Sequence, residues 1–166
     1  MTSECVRKCN WNVRYRTFEV SFYCINIFVI FTAPETAMLS PMSKLIFFID
    51  DDKMILNLLE YTFQARQDYD VVCYQTGEEC LENMVRRPSL IVLDHVLAGM
   101  GDNTLNGMET LIEIRKVDKE VPVVILTGQG DESLLTRFME AGASRYLTKD
   151  DFFIDSLIET IQQVLS

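Results

Sequence analysis

Five short apolar runs alternate with helix-type spacings from Lys44 to the end of the chain, and this alternation is the strongest constraint on the fold. The runs lie at residues 45–49, 70–74, 90–93, 121–126 and 145–148. The third run has no polar alternation, which is typical of a strand buried on both faces of a parallel sheet. Strands that alternate with helices are joined by right-handed crossovers, with helices on both faces. The sequence therefore predicts an α/β fold: a doubly wound, five-stranded parallel sheet with five helices.

Small polar residues mark where helices are expected to begin. Asp52 precedes a helix-type spacing and is predicted to cap the first helix. Thr76, followed three residues later by Glu79, predicts a capping box at the second helix, which is expected to bury Val85. Pro122 is expected near the start of the fourth strand, because a missing N–H donor costs least there.

Polar side chains stand where four of the predicted strands end. They are Asp50, Asp51, Asp52, Asp94, Thr127 and Lys149. The carboxyl ends of parallel strands share one edge of the sheet, where open α/β sheets bind ligands. Neighbouring carboxylates raise one another's pKa, and a divalent cation relieves this; oxygen ligands, water and phosphate favour Mg²⁺. An aspartate beside such an ion can attack phosphorus, while the metal, Lys149 and Thr127 hold the phosphoryl oxygens.

Four ordered motifs resemble those of a known family. They are IDDD at residues 49–52, VLD at 92–94, ILTG at 125–128 and GASRYLTK at 142–149. Together they resemble the response regulator receiver domain of two-component signalling. The resemblance implies a flavodoxin-like fold with strand order 2-1-3-4-5, and it assigns residues 44–166 to the receiver domain.

The resemblance also implies the chemistry of the cluster. Asp94 would be the phosphoacceptor. Asp50 and Asp51 would bind Mg²⁺ together with Asp94 and the backbone carbonyl of Val96. Lys149 would bridge to the phosphoryl group.

Three further positions match those that control the signal in the family. Thr127 would be the switch hydroxyl, and Tyr146 the aromatic switch residue that turns inward when this hydroxyl moves to the phosphoryl group. Gln129 occupies a position that tunes the lifetime of the phosphoryl group. The fourth helix, fifth strand and fifth helix would form the switched surface.

Two features depart from the family pattern. Asp150 follows Lys149, where the family usually has a proline after a cis peptide; a trans bond here would point Lys149 differently. The glycine that opens the third helix, Gly107, lies 13 positions after Asp94, later than is usual in the family. The longer loop stands beside the predicted site and is expected to screen it or to contact a partner.

Charge and cysteine content limit the partners and the setting. The formal net charge is −10, whereas a face that binds nucleic acid or an anionic membrane is basic; neither is expected as a direct partner. The five cysteines form no CxxC pair and fit no even disulfide framework. This favours a reduced, cytoplasmic setting.

The first 43 residues form a separate region of different composition. They hold four basic and three acidic side chains, so the net negative charge lies entirely in the remainder. Residues 20–33 lack charge but are fewer than the roughly 20 that span a bilayer. The region is a signal peptide, an added surface element, or an extension upstream of a true start at Met42. The third alternative is favoured, with an extension that is disordered or not native.

The expected function is that of a single-domain response regulator. It would accept a phosphoryl group on Asp94 from a histidine kinase or histidine phosphotransfer protein and signal to an unknown protein target. Because no output domain follows the last helix, we expect a stand-alone receiver, monomeric or weakly dimeric, that turns over no external substrate.

One alternative is a degenerate receiver that acts as a phosphorylation-independent interaction module. Another is an aspartyl-phosphate hydrolase, which Val96 disfavours because such enzymes place an acid there. His95 is expected to be an ordinary loop side chain.

Overall fold

The computed structural model of the protein describes residues 43–97, 104–128 and 131–166. Its strands are β1 (Lys44–Ile49), β2 (Tyr69–Tyr74), β3 (Leu90–Asp94), β4 (Val123–Thr127) and β5 (Arg145–Thr148). Its α-helices are α1 (Lys53–Gln64), α2 (Gly77–Asn83), α3 (Gly107–Val117), α4 (Glu132–Glu140) and α5 (Phe153–Leu165), and a 3₁₀ turn, Met84–Arg86, follows α2.

The strands form one parallel sheet in the order β2-β1-β3-β4-β5. All five residues of β3 and all five of β4 are buried, as expected for strands covered on both faces. The predicted flavodoxin-like fold, with its strand order and five helices, is confirmed.

Alternate residues of the central strands pack into two separate cores, because successive side chains of a strand point to opposite faces. On one face, Phe47 and Ile91 pack with Leu111 of α3 and Phe138 of α4. The same face also receives Cys80 of α2. This core lies between the sheet and α2, α3 and α4.

The second core lies on the other face of the sheet. Phe48 and Val92 pack there with Leu59 of α1 and with Leu157 of α5. Phe48 also contacts the ring of Phe63 at a centroid distance of 5.3 Å. Since both faces are covered by helices, the open ends of the strands are the places left for a ligand.

The helix starts follow the predicted caps with one difference. Asp52 Oδ1 accepts a hydrogen bond from the Met54 N–H at 2.8 Å and caps α1. Thr76 Oγ1 accepts from the Glu79 N–H at 3.2 Å. The Glu79 side chain, however, accepts from the Gln75 N–H, so the reciprocal half of the predicted box at α2 is displaced by one residue.

One other expectation from the sequence was wrong, and one strand starts later than its apolar run. Val85 is 84% exposed, because the chain tightens into the 3₁₀ turn after α2 and turns this side chain outward. β4 starts at Val123, after Pro122, and the Val121 N–H donates to Asp118 Oδ1 at 2.9 Å instead of joining the sheet.

The predictions for residues 1–42 lie outside the described residues, so the separate region before residue 44 stays a prediction. Among the helices of the described ranges, none combines the length and apolar character that crossing a bilayer requires.

Candidate functional site

Three aspartates meet at the carboxyl edge of the sheet. Strands β1 and β3 are neighbours with Ile49 opposite Leu93, which brings the residues that follow them together. Asp50, Asp51 and Asp94 offer carboxylate oxygens within 4.8 Å of one another. Asp50 is 2% and Asp94 is 5% exposed.

This donor set fits a hard divalent cation. Its side-chain ligands are all carboxylate oxygens, which Mg²⁺ prefers, and the few protein ligands leave positions for water and phosphate oxygens. Two of the carboxylates are buried, so their mutual repulsion is weakly screened by solvent. Asp52 is not in this group, because its carboxylate caps α1 and its N–H donates to Asp50 Oδ1 at 3.0 Å.

Lys149 joins the cluster from the end of β5. Its Nζ lies 2.6 Å from Asp50 Oδ2 and 3.0 Å from Asp94 Oδ1, and its side chain is 17% exposed. Burial by itself lowers the pKa of Lys149, but the hydrogen bonds and ion pairs with Asp50 and Asp94 outweigh it and raise that pKa. Lys149 is therefore a cation that bridges the two buried carboxylates.

The electrostatics of Asp94 are dominated by its burial. Loss of solvent raises the pKa of Asp94, and the nearby Lys149 ammonium lowers it by less. A buried carboxylate stays ionised at lower cost when more positive charge is close. A further cation beside Lys149 would therefore stabilise the ionised form of Asp94.

Lys149 reaches both carboxylates through a trans peptide. The described residues contain no cis peptide bond. The Asp150 N–H donates to the Thr148 carbonyl at 3.0 Å, and Asp150 Oδ1 accepts from the Phe152 N–H at 2.9 Å. Asp150 thus forms a turn that a proline could not form, and the predicted misdirection of Lys149 does not occur.

Thr127 lies beside Lys149 at the carboxyl end of β4. It is fully buried, stands opposite Thr148 in the sheet, and its carbonyl accepts from the Lys149 N–H at 2.6 Å. The structure thus brings Thr127 next to the residue that contacts Asp94. Its role as a switch stays a prediction.

The other predicted residues lie further from the carboxylates or outside the described ranges. The half-buried ring of Tyr146 in β5 packs on Phe138 of α4 with centroids 6.5 Å apart. Val96 follows Asp94 by two positions with its side chain 53% exposed, and its carbonyl as a ligand stays a prediction. Gln129 and residues 98–103 of the long loop lie outside the described residues.

His95 was expected to be an ordinary loop side chain, but the structure places it against the carboxylate cluster. Its side chain is only 14% exposed, and its Nδ1 lies 3.9 Å from Asp94 Oδ1. This nitrogen is buried and has no hydrogen-bond partner among the described groups. A single histidine with no neighbouring histidine or cysteine gave no motif, and only its position directly after Asp94 could have drawn attention to it.

His95 also lines a cleft of about 370 Å³ beside the cluster. The other described residues that line it are Asn106, Met108, Glu109, Leu134, Arg137 and Phe138. The cleft thus lies between the first turn of α3 and α4, and His95 connects it to the predicted phosphoacceptor.

Gly107 lets α3 begin against the backbone of the site. A Cβ at this position would lie 2.5 Å from the Asp94 carbonyl oxygen and 2.7 Å from His95 Cα. Because these are backbone atoms, no side-chain rotation relieves the clash. Glycine is therefore required for the close approach of α3 to Asp94.

The loop that leads into α3 is held by α2. Glu78 Oε1 accepts from the Leu105 N–H at 2.7 Å. The side chain of Asn106 and that of Glu109 then form a complete capping box. The last residues of the long loop are thus fixed at both α2 and α3.

Comparison with known proteins agrees with this geometry. The family model "Response regulator receiver domain" matches residues 46–162. A curated relative, the alkaline phosphatase synthesis transcriptional regulatory protein PhoP of Bacillus subtilis (strain 168), is 35% identical over 109 residues. This match covers 65% of the chain and 43% of PhoP, so the chain spans less than half of that relative's length.

Solved structures show the same similarity. A putative response regulator from Chloroflexus aurantiacus J-10-fl matches with a TM-score of 0.64 and 28% identity, covering 74% of this chain and 98% of that one. The chemotaxis protein CheY4 of Vibrio cholerae matches with a TM-score of 0.65 and 25% identity, covering 74% of this chain and 99% of that one. The family match, the strand order and the motifs at the strand ends agree, and the chain belongs to the response regulator receiver domain family.

Proposed function

We propose that Asp94 accepts a phosphoryl group from a phosphohistidine of a histidine kinase or phosphotransfer protein. The observation that carries this proposal is the position of Lys149, whose Nζ contacts both Asp50 and Asp94 in a buried carboxylate cluster. A structural ion pair needs one carboxylate for one ammonium, whereas this site clusters three carboxylates, two of which contact the one lysine. Membership of the receiver family supports the same reading.

The excess negative charge makes Mg²⁺ the expected cofactor. Asp50, Asp51, Asp94 and the carbonyl of Val96 would hold the ion. When bound, Mg²⁺ neutralises charge on the phosphoryl oxygens. Lys149 and the Thr127 hydroxyl would contact the same oxygens from β5 and β4.

Asp94 needs no general base for this reaction. A carboxylate oxygen attacks phosphorus while the bond from phosphorus to the donor nitrogen breaks, and the imidazole of the donor keeps the electron pair. The resulting acyl phosphate is lost when water attacks phosphorus, which releases inorganic phosphate and restores the Asp94 carboxylate. On this scheme the protein promotes its own phosphorylation and dephosphorylation and is not an enzyme for an external substrate.

The signal would leave the site through Thr127 and Tyr146. Movement of the Thr127 hydroxyl toward the phosphoryl group would let Tyr146 turn inward beside Phe138, which changes the surface of α4, β5 and α5. That surface would contact a downstream protein target, and Gln129 would tune how long the signal lasts. We place this activity in the cytoplasm, in a monomer or weak dimer, without direct contacts of the receiver to nucleic acid or membrane.

The Bacillus relative is named as a transcriptional regulatory protein, but the chain matches only 43% of that protein. The regulation of transcription is therefore not part of the proposal.

Phosphoryl uptake tests the proposal directly. Incubation with Mg²⁺ and a small phosphodonor should add the mass of one phosphoryl group to the intact protein, and Asp94→Asn should abolish it. Asp52→Asn is the matched control, because Asp52 caps α1 beside the site and should not be needed for uptake.

Other outcomes would contradict the proposal. Undiminished uptake by Asp94→Asn would place the phosphoryl group elsewhere. No uptake together with no Mg²⁺ binding would indicate a phosphorylation-independent interaction module, and steady phosphate release from added monoesters would indicate a hydrolase.

A further inference from the structure

A buried nitrogen next to the predicted phosphoacceptor has no hydrogen-bond partner among the described residues. His95 Nδ1 is inaccessible to solvent and unpaired among the described groups. An unsatisfied buried polar atom costs about 1 to 3 kcal/mol, so such atoms are rare in native proteins unless another state satisfies them. A hydrogen-bond acceptor that is present in only one state of the site would satisfy His95 Nδ1 in that state.

The position of His95 is fixed by its backbone. The His95 N–H donates to the Leu126 carbonyl at 2.9 Å, which continues the contact between β3 and β4. On the other side, Gly107 packs so closely on the His95 backbone that a Cβ there would lie 2.7 Å from its Cα and from its carbonyl oxygen. The imidazole is thus attached to a rigid segment directly beside Asp94.

His95 is too far from Asp94 to form a hydrogen bond with its carboxylate. Asp94 Oδ1 has Lys149 Nζ at 3.0 Å, whereas His95 Nδ1 is 3.9 Å away from the same oxygen. The longer distance exceeds that of a hydrogen bond. A phosphoryl group on Asp94 would add three oxygens at this position, which brings an acceptor nearer to the imidazole than the carboxylate alone.

We propose that His95 is a ligand of the phosphoryl group, and that its Nδ1–H donates a hydrogen bond to a phosphoryl oxygen of phosphorylated Asp94. This inference rests on the proposed function. The doubly charged phosphoryl group is a strong acceptor, and charge-assisted hydrogen bonds are about twice as strong as neutral ones. His95 thereby lengthens the lifetime of the aspartyl phosphate, because it holds the bound group in its ground state and occupies space from which water would approach phosphorus.

Beryllofluoride with Mg²⁺ is a suitable probe, because it has the tetrahedral shape and charge of a phosphoryl group. His95→Phe keeps a planar ring but removes the donor, and should weaken beryllofluoride binding about tenfold, the factor that corresponds to one hydrogen bond to a charged group. It should shorten the half-life of the phosphoryl group by several-fold. His95→Asn, which keeps an N–H near the position of Nδ1, should recover part of both losses.

Arg137→Gln is the matched control for the cleft. Arg137 lines the same cleft as His95 but is not among the residues that contact the carboxylates. The variant should bind beryllofluoride like the wild type. An equal loss in Arg137→Gln and His95→Phe would assign the effect to the cleft as a whole and would overturn the inference.

A second measurement uses the wild-type protein, so it does not require any variant to fold. His95 is the only histidine in the chain, so the imidazole signals in a nitrogen-15 NMR spectrum belong to it alone. Addition of beryllofluoride should shift the Nδ1 proton downfield and slow its exchange with water.

Three results would separate the failures. Beryllofluoride binding that leaves the imidazole signals unchanged would overturn the role of His95 and leave the proposed function standing. A longer phosphoryl lifetime in His95→Phe would also overturn it, because His95 would then promote attack by water. Absence of both phosphoryl uptake and beryllofluoride binding in the wild type would remove the proposed function, and the inference with it.

Discussion

Asp94 carries a charge at a position that the fold protects from water. Its raised pKa means that the folded protein holds the proton of this carboxyl more tightly than the unfolded chain does. Below the ordinary aspartate pKa, about 3.9, the protonated Asp94 carboxyl contributes fully to the stability of the folded protein. This contribution is lost as the pH rises through the folded pKa. In the absence of divalent cations, the Asp94 carboxylate thus destabilises the folded protein at neutral pH.

Asp94→Asn should therefore raise the melting temperature at pH 7 in the presence of a chelator. The gain should shrink as the pH falls through the folded pKa and disappear below about pH 4, the range of an ordinary aspartate. Thermal unfolding followed by circular dichroism over this pH range measures it.

Asp118→Asn provides a control of opposite sign. The N–H groups of Val121 and Glu120 donate to Asp118 and lower the pKa of its carboxyl. The variant should lose stability at neutral pH, and the loss should diminish as the pH falls through the folded pKa. A gain at Asp94 that does not vary with pH would contradict the burial argument.

Two glycines at the site edge should respond differently to an added methyl group. Gly107→Ala places a Cβ against backbone atoms of Asp94 and His95, and should lower the free energy of unfolding by about 1 to 3 kcal/mol, as overpacking does. It should also slow phosphoryl uptake, because α3 must move away from Asp94. Gly128→Ala meets nothing within 4 Å and should change stability by less than about 0.5 kcal/mol. Equal effects in urea unfolding would show that close approach is not the reason for Gly107.

The sequence identified the carboxylates and Lys149 because each directly follows an apolar strand. In a parallel sheet, the strand ends alone determine that such residues meet. His95 could not be identified in this way, because whether its imidazole turns inward depends on packing by Gly107 and on the contact with Leu126, both distant in sequence. The reach of Lys149 through a trans bond likewise depends on the turn that Asp150 forms.

At the scale of elements, α2 has a role that its sequence does not suggest. Glu78 in its first turn connects to Leu105 in the loop before α3. Gly77 brings the two helices together, because a Cβ there would lie 2.1 Å from Thr110 Oγ1. Helix α2 therefore positions the end of the long loop that leads into α3.

Glu78→Ala should release this end of the loop. The amide of Leu105 should exchange with solvent about tenfold faster, which corresponds to the loss of about one hydrogen bond to a charged acceptor. Glu78→Gln keeps a carbonyl acceptor and should exchange at an intermediate rate. Glu82→Ala, which alters an exposed residue of the same helix, should leave the rate unchanged. Hydrogen exchange measured by NMR decides between these outcomes, and an unchanged Leu105 rate in Glu78→Ala would exclude the tether.

The helix patterns predicted which segments are helical but not where each helix tightens. The α-helical spacing of side chains ends at Met84, where the 3₁₀ turn begins. Arg87 then adopts a left-handed conformation with φ of 53°. A 3.6-residue spacing cannot anticipate this change, so Val85 was assigned to the wrong side. The local caps at Asp52 and Thr76 were predictable because they need only neighbouring residues.

At the scale of the whole sheet, Arg115 connects elements at the edge opposite to the carboxylates. Arg115 at the end of α3 donates to the carbonyls of Gly142, Asp118 and Val121 at distances from 2.8 to 3.2 Å. These carbonyls precede β4 and β5. Arg115 thus joins α3 to the starts of two strands whose other ends carry Thr127 and Lys149.

Arg115→Ala should lower the free energy of unfolding by about 2 to 4 kcal/mol, because several hydrogen bonds to one charged donor are lost. Phosphoryl uptake by the folded fraction should stay at the wild-type rate. Lys116→Ala is the control, because the ion pair of Lys116 with Glu113 is largely exposed and contributes about 0 to 1 kcal/mol. Urea unfolding together with uptake kinetics tests both statements; a large loss of uptake at full folding would contradict the expectation that Arg115 acts on stability alone.

Because the site residues come from distant strands of the parallel sheet, the site forms only when both halves of the sheet have assembled. Lys149 and Asp50 are 99 positions apart, and β1 and β5 are separated in the sheet by β3 and β4. A chain cut in the connection between α3 and β4 would leave the acidic residues on one fragment and Thr127 and Lys149 on the other. Neither fragment would have a complete site, so phosphoryl uptake in a mixture of the two would report their reassembly.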